Sequence, residues 1–144
     1  MIELREVNTD NFEEVVALHK KPEQKDFVRG NLYAIAECKA RPWLMPLAIY
    51  DDGKAVGFVQ YEVRTAPDRH VFLKRYMIDQ HCQGRGLGKR GLEVFLEFVK
   101  KNLGDIPVEL MHYPNNTVAG ALYDGMGFVP TGEIRETETV KRRQ

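Results

Sequence analysis

The chain has 144 residues and a mass of 16.6 kDa, 43% of them hydrophobic and 29% charged, which fits one domain around one core, residues 1–144. Lys plus Arg number 21 and Asp plus Glu number 21, and this zero formal charge speaks against nucleic acid or an anionic membrane as the main partner, since both select a net basic field. No apolar run approaches a membrane span, and the opening Met1-Ile2-Glu3-Leu4-Arg5-Glu6 has neither the basic nor the apolar part of an export signal, so a cytoplasmic protein is expected.

Residues 2–7 alternate apolar and charged positions and read as a short strand. Asp10 and Glu13 form a capping-box pattern ahead of a helix that puts Phe12, Val15, Val16 and His19 on one face, interrupted at Pro22. A second helix is predicted over 32–39, with Leu32, Ile35 and Ala36 inward, ending at Arg41-Pro42. The period then changes. Residues 47–50, the turn Asp51-Asp52-Gly53-Lys54 and residues 55–63 read as a hairpin, and 71–78 as a third strand. A Gly-rich segment leads into a long amphipathic helix whose stripe is Leu92, Phe95, Leu96, Val99 and Leu103. Residues 107–111 are another strand. Asn115 or Asn116 caps a short helix ending near Gly125, strand returns at Phe128, and the polar tail 133–144 reads as an exposed edge strand that frays. The order β-α-α-β-β-β-α-β-α-β(β) implies the α+β class: a mixed, mostly antiparallel central sheet flanked by helices.

Chemistry concentrates at Gln83-Gly84-Arg85-Gly86-Leu87-Gly88-Lys89. A strand running into glycines and then a helix leaves first-turn N–H groups unpaired at the positive end of the helix dipole, and two cations reinforce them. The expected ligand is a phosphate or pyrophosphate; a tight βα turn alone would need fewer glycines and no cations. A P-loop does not fit, because Gln83 stands where its first Gly belongs and Arg90 where Ser or Thr would hold magnesium. Gly86-Leu87-Gly88-Lys89-Arg90-Gly91 matches the dinucleotide fingerprint by letter, but antiparallel strands precede it where a βαβ series is required. The histidines His19, His70, His81 and His112 show no metal-ligand spacing, so no metal is expected, and Cys38 and Cys82 are expected as free thiols.

The loop resembles the Gln/Arg-x-x-Gly-x-Gly/Ala segment of the GNAT superfamily of N-acetyltransferases. A second block, Asn116-Thr117-Val118-Ala119-Gly120-Ala121-Leu122-Tyr123-Asp124-Gly125-Met126-Gly127-Phe128, resembles that family's Asn-x-x-Ala-x-x-x-Tyr-x-x-x-Gly-Phe segment. Within the family, Arg75-Tyr76-Met77-Ile78-Asp79 leading into Gln83-Gly84 is most similar to the small diamine and polyamine acetyltransferases.

The resemblance implies acetyl-CoA as co-substrate. Gln83, Gly84, Arg85, Gly86, Leu87, Gly88 and Lys89 would hold its pyrophosphate, and backbone groups of Tyr76, Met77 and Ile78 its pantetheine arm and thioester carbonyl. Asn116 would anchor the pantetheine amides, and Tyr123 would protonate the departing thiolate. Periodicity alone reads Tyr123 as core packing beside Leu122 and Met126. Many relatives carry a carboxylate early on the strand before the loop, whereas Val71-Phe72-Leu73-Lys74-Arg75 has none; Glu62 is the first candidate for the base and His70 the second. The implied reaction is direct attack of a small-molecule amine on the thioester, with diamines and polyamines leading among acceptors. Two other readings share the loop: a non-catalytic acyl-CoA sensor and an acetyltransferase of protein or peptide amines. The tail's edge strand offers a route to a homodimer.

Overall fold

A computed structural model describes residues 1–20 and 30–144. Its elements are β1 (Ile2–Glu6), α1 (Phe12–Val16), α2 (Asn31–Ala40), β2 (Met45–Asp51), β3 (Lys54–Arg64), β4 (His70–Ile78), α3 (Leu87–Leu103), β5 (Val108–His112), α4 (Thr117–Gly125), β6 (Val129–Arg135) and β7 (Glu138–Arg143). The break expected at Pro22 lies outside the described residues. The strands form one sheet in the order β1-β2-β3-β4-β5-β7-β6. Every pairing is antiparallel except β4 with β5, so the sheet is mixed and the class α+β, as expected.

One sheet face is covered by α3 and α4. The α3 stripe does what its period demands: Leu92, Phe95 and Val99 are buried against Val59, Tyr61, Leu73 and Leu110, each worth about 1.5–3 kcal/mol of burial. Phe95 meets Tyr61 edge-on with ring centroids 5.5 Å apart. The other face carries α1 and α2, whose Val15 and Ala34 pack on Ala48, Tyr50, Phe58 and Met77.

Three expectations are corrected. The capping box does not form: Asn11 precedes α1, and its Oδ1 accepts from the Asn8 N–H at 2.8 Å instead of from the helix. The helix stops at Val16, so His19 lies past its end, and Phe12 is exposed. On α2, Leu32 and Ala36 face solvent, Leu32 at 66% exposure, while Asn31, Ala34 and Glu37 are buried. The inward polar groups find partners on α1 and on a polar part of the sheet: Asn31 Nδ2 donates to the Val15 carbonyl of α1 at 2.9 Å, and Gln60 Nε2 of β3 to the Ala34 carbonyl at 3.1 Å. Paired in this way, polar burial carries little penalty. The last strand is no edge. β7 lies between β5 and β6, with Val140 and Lys141 buried, because its charges are paired: Lys141 with Asp124 at 2.6 Å and Arg142 with Asp68 at 2.6 Å. The sheet edges are β1 and β6, so the C-terminal edge strand is β6, which includes tail residues 133–135, and not the last strand.

Candidate active site

The sheet splits where β4 meets β5. Their parallel ladder runs only from Val71↔Val108 to Leu73↔Leu110. Beyond it, residues 75–78 of β4 pair with β3 alone, and Met111 and His112 of β5 pair with β7 alone. Alternate main-chain groups of both strands therefore face each other across a cleft instead of bonding. Tyr76, Met77 and Ile78 line one wall of the resulting cavity, about 850 Å³, and Met111, His112 and Tyr113 line the other.

At one end the cavity reaches α3. The chain turns through Gly84 at φ 83° and Gly86 at φ 73°, a left-handed region that costs an L side chain about 1–2 kcal/mol. Gly86 is the N-cap and no side chain caps the helix. The first intrahelical bond runs from the Arg90 N–H to the Gly86 carbonyl at 3.1 Å, so the N–H groups of Leu87, Gly88 and Lys89 have no acceptor within the helix. Two bonds brace the loop against β4: Tyr76 Oη donates to the Gly88 carbonyl at 2.5 Å, and Gln83 Nε2 to the Ile78 carbonyl at 3.0 Å. The Leu87 side chain is buried in the core, so only its backbone serves the loop. Gln83, Gly84, Gly86, Leu87, Gly88 and Lys89 line the cavity, whereas Arg85 is exposed and does not.

Across the cleft, Asn116 caps α4, its Oδ1 accepting from the Ala119 N–H at 3.3 Å, which leaves its amide donors out of the cap. Seven residues on, Tyr123 projects from α4 against Phe128 and His112, with ring centroids 5.8 and 5.9 Å apart. Both Asn116 and Tyr123 line the cavity. Burial pushes the Tyr123 phenol above its ordinary range, and it does the same to Tyr76, with a smaller contribution from Tyr123 itself. Both hydroxyls are thus protonated at neutral pH.

The α1/α2 side of the cavity is polar. A bulge at Lys74, opposite the Gln60–Tyr61 step of β3, turns Lys74 and Arg75 to the same face. There Glu37 of α2 holds them: Lys74 Nζ donates to it at 2.7 Å, Arg75 lies 3.7 Å away, and Arg41 completes the group at 2.5 Å. Burial pushes the Glu37 carboxyl up, but the Lys74 hydrogen bond and charge, with Gln60 and Arg75, outweigh it and hold it below the usual carboxylate range. Two further carboxylates reach the cavity, Glu136 from the β6–β7 turn and Glu138 from the start of β7.

The Acetyltransferase (GNAT) family model matches residues 3–128. The chain belongs to the GNAT acetyltransferase family. It is 28% identical over 138 residues to the spermine/spermidine N(1)-acetyltransferase of Bacillus subtilis strain 168, covering 92% of this chain and 91% of that one. Its GNAT fold is shared with a PaiA N-acetyltransferase of Thermoplasma acidophilum in complex with coenzyme A, at 15% identity and a TM-score of 0.74, covering 100% of this chain and 99% of that one. An aminoglycoside acetyltransferase in complex with coenzyme A and kanamycin superposes with a TM-score of 0.80 at 15% identity, covering 100% and 95%.

In this GNAT chain Glu62 lies just behind the cavity wall, next to Arg64 and Phe72, which line it. It sits on β3 opposite Phe72, its carboxylate is held by Arg64 Nε at 2.5 Å, and it does not itself line the cavity. Its carboxylate is thus engaged by Arg64 and not open to the cavity directly. His70, the second candidate, is buried, with Nδ1 2.9 Å from the Asp68 carbonyl, and it too is absent from the lining. The carboxylates that do reach the cavity, Glu37, Glu136 and Glu138, carry no local motif. Only the two acidic positions flanking Thr137, in a turn between strands, hint at them. Among the described residues no cluster of His, Cys, Asp and Glu is suited to a metal, and no helix is long and apolar enough to cross a membrane.

Proposed function

We propose that this chain is an acetyl-CoA-dependent N-acetyltransferase that acetylates a primary amine of a small molecule by direct attack on the thioester, with diamines and polyamines as the first acceptors to test. The observation that carries this is the split between β4 and β5, which joins uncapped helix donors at one end to Tyr123 farther along. The fit to the co-substrate is chemical: α3 offers N–H donors and Lys89 to a diphosphate, and the facing edges of β4 and β5 offer main-chain partners to an extended, amide-bearing arm. Asn116 adds side-chain amide donors.

An acceptor amine has a pKa of roughly 10 and arrives protonated, so a base must free its lone pair before the C–N bond can form. A backbone N–H of β4 aimed at the thioester oxygen stabilises the charge that develops there. Tyr123, neutral at physiological pH, donates its hydrogen bond and then its proton to the sulfur as the C–S bond breaks. The surroundings that keep the phenol neutral also disfavour a free thiolate, which drives that transfer.

The test combines calorimetric titration of the protein with coenzyme A and an assay of thiol release on a panel of diamines, polyamines, aminoglycosides and peptides. Binding heat, turnover on small amines and a fall of about a hundredfold in kcat for Tyr123→Phe with unchanged coenzyme A affinity are the expected results. Absence of binding, or full activity in Tyr123→Phe, overturns the proposal.

A further inference from the structure

Side chains alternate across the far wall of the cleft. Lys141 meets Asp124 of α4 and His112 meets Tyr123, so Leu110, His112, Thr139 and Lys141 belong to the α4 side or its ladder partners, and Glu138, Val140 and Met111 to the opposite face. That is also the face of Arg75 and Glu37. Glu138 thus enters the cavity from the α2 side, while Tyr123 enters from the α4 side. An acid and a base for one acyl transfer need this arrangement, since the attacking amine and the leaving sulfur occupy different flanks of the carbonyl carbon.

Partner accounting singles out Glu138 among the carboxylates of the cavity. Glu37 is committed to Lys74, Arg41 and Arg75, and Glu136 is exposed on the turn. Glu138 is half-buried and, among the described residues, its carboxylate makes no hydrogen bond or ion pair, so its lone pairs are open to a ligand. Burial first, then the neighbouring charge of Glu136, raises its pKa, and Arg75 across the cleft opposes them. A carboxylate raised in this way is a stronger base than an ordinary glutamate.

We propose that Glu138 is the base that takes the proton of the acceptor amine, an inference resting on the acetyltransferase function proposed above. One ammonium proton passes to a Glu138 oxygen and the freed nitrogen lone pair forms the C–N bond. As the C–S bond breaks, sulfur takes the Tyr123 proton, and the second nitrogen proton restores the phenol. The products are the amide, the thiol and protonated Glu138, which returns its proton to solvent.

The experiment compares wild type, Glu138→Gln, Glu138→Asp and Glu62→Gln in kcat/KM against pH. Calorimetry with coenzyme A and NMR titration of the Glu138 carboxyl, with and without the amine acetylated best, complete it. The expected result is a loss of about a hundredfold in Glu138→Gln with disappearance of the acid limb, partial recovery in Glu138→Asp and unchanged coenzyme A affinity. The carboxyl resonance should titrate at the pH of the wild-type limb and shift when the amine is added. Wild-type turnover with Glu138→Gln within threefold and the same limb overturns this inference alone, as does a comparable loss confined to Glu62→Gln. Wild type that binds coenzyme A but acetylates no amine overturns the functional reading with it.

Discussion

Gly91, one turn into α3, tests how the helix is seated on β4. A Cβ built there lies 2.6 Å from Tyr76 Oη and 3.4 Å from Ile49 Cδ1. Ordinary contact needs roughly 3.5 Å, so in Gly91→Ala the hydroxyl must retreat by about 0.9 Å, and it is the donor to the Gly88 carbonyl. Alanine gains about 1 kcal/mol of helix propensity. Against this stand about 1–3 kcal/mol of overpacking and about 1 kcal/mol for a weakened hydrogen bond. The net expectation is a loss of about 2 kcal/mol, a fall of about 5–10 °C in Tm for a domain of this size. Tyr76→Phe removes the obstructing oxygen, so adding Gly91→Ala to that background should be neutral or stabilising. Thermal melts of the four proteins complete a double-mutant cycle with strong coupling. A Gly91→Ala protein that melts at or above wild type, with no coupling to Tyr76, would refute the reasoning.

Two further substitutions probe the walls of the cleft. Glu37→Gln leaves Lys74, Arg75 and Arg41 without their shared anion and should cost about 3 kcal/mol at neutral pH. Because the folded carboxyl titrates below its unfolded value, its contribution is present above the unfolded pKa and is lost as pH falls through the depressed folded one. Denaturation of wild type and variant should therefore converge from roughly pH 4 downwards. Asn116→Ala removes the cap of α4 and should cost about 1 kcal/mol by urea denaturation, together with a weaker calorimetric affinity for coenzyme A.

The glycine loop before α3 and the Asn116–Tyr123 spacing were legible because they are local: unpaired N–H groups, left-handed glycines and a helix cap follow from neighbouring residues. The long amphipathic α3 was legible for the same reason. The inward face of α2 was not. Leu32 and Ile35 suggested an apolar seam, and the polar character of the sheet beneath it depends on Gln60, Lys74 and Arg75, distant in sequence and brought together partly by a bulge. The polar tail misled likewise, since Lys141 and Arg142 find Asp124 and Asp68 only after folding. Glu138 was invisible for a topological reason. It faces the cleft because β7 inserts between β5 and β6, an order that adjacency along the chain does not suggest.

The short seam between β4 and β5 makes the sheet two plates, β1-β2-β3-β4 and β5-β7-β6, stitched by three residue pairs from Val71 to Leu73. Tyr76 rides on one plate and Glu138 on the other. Any widening or narrowing of the gap between the plates must be absorbed at those stitches, so a side chain as far down the seam as Val108 helps set the width of the cleft.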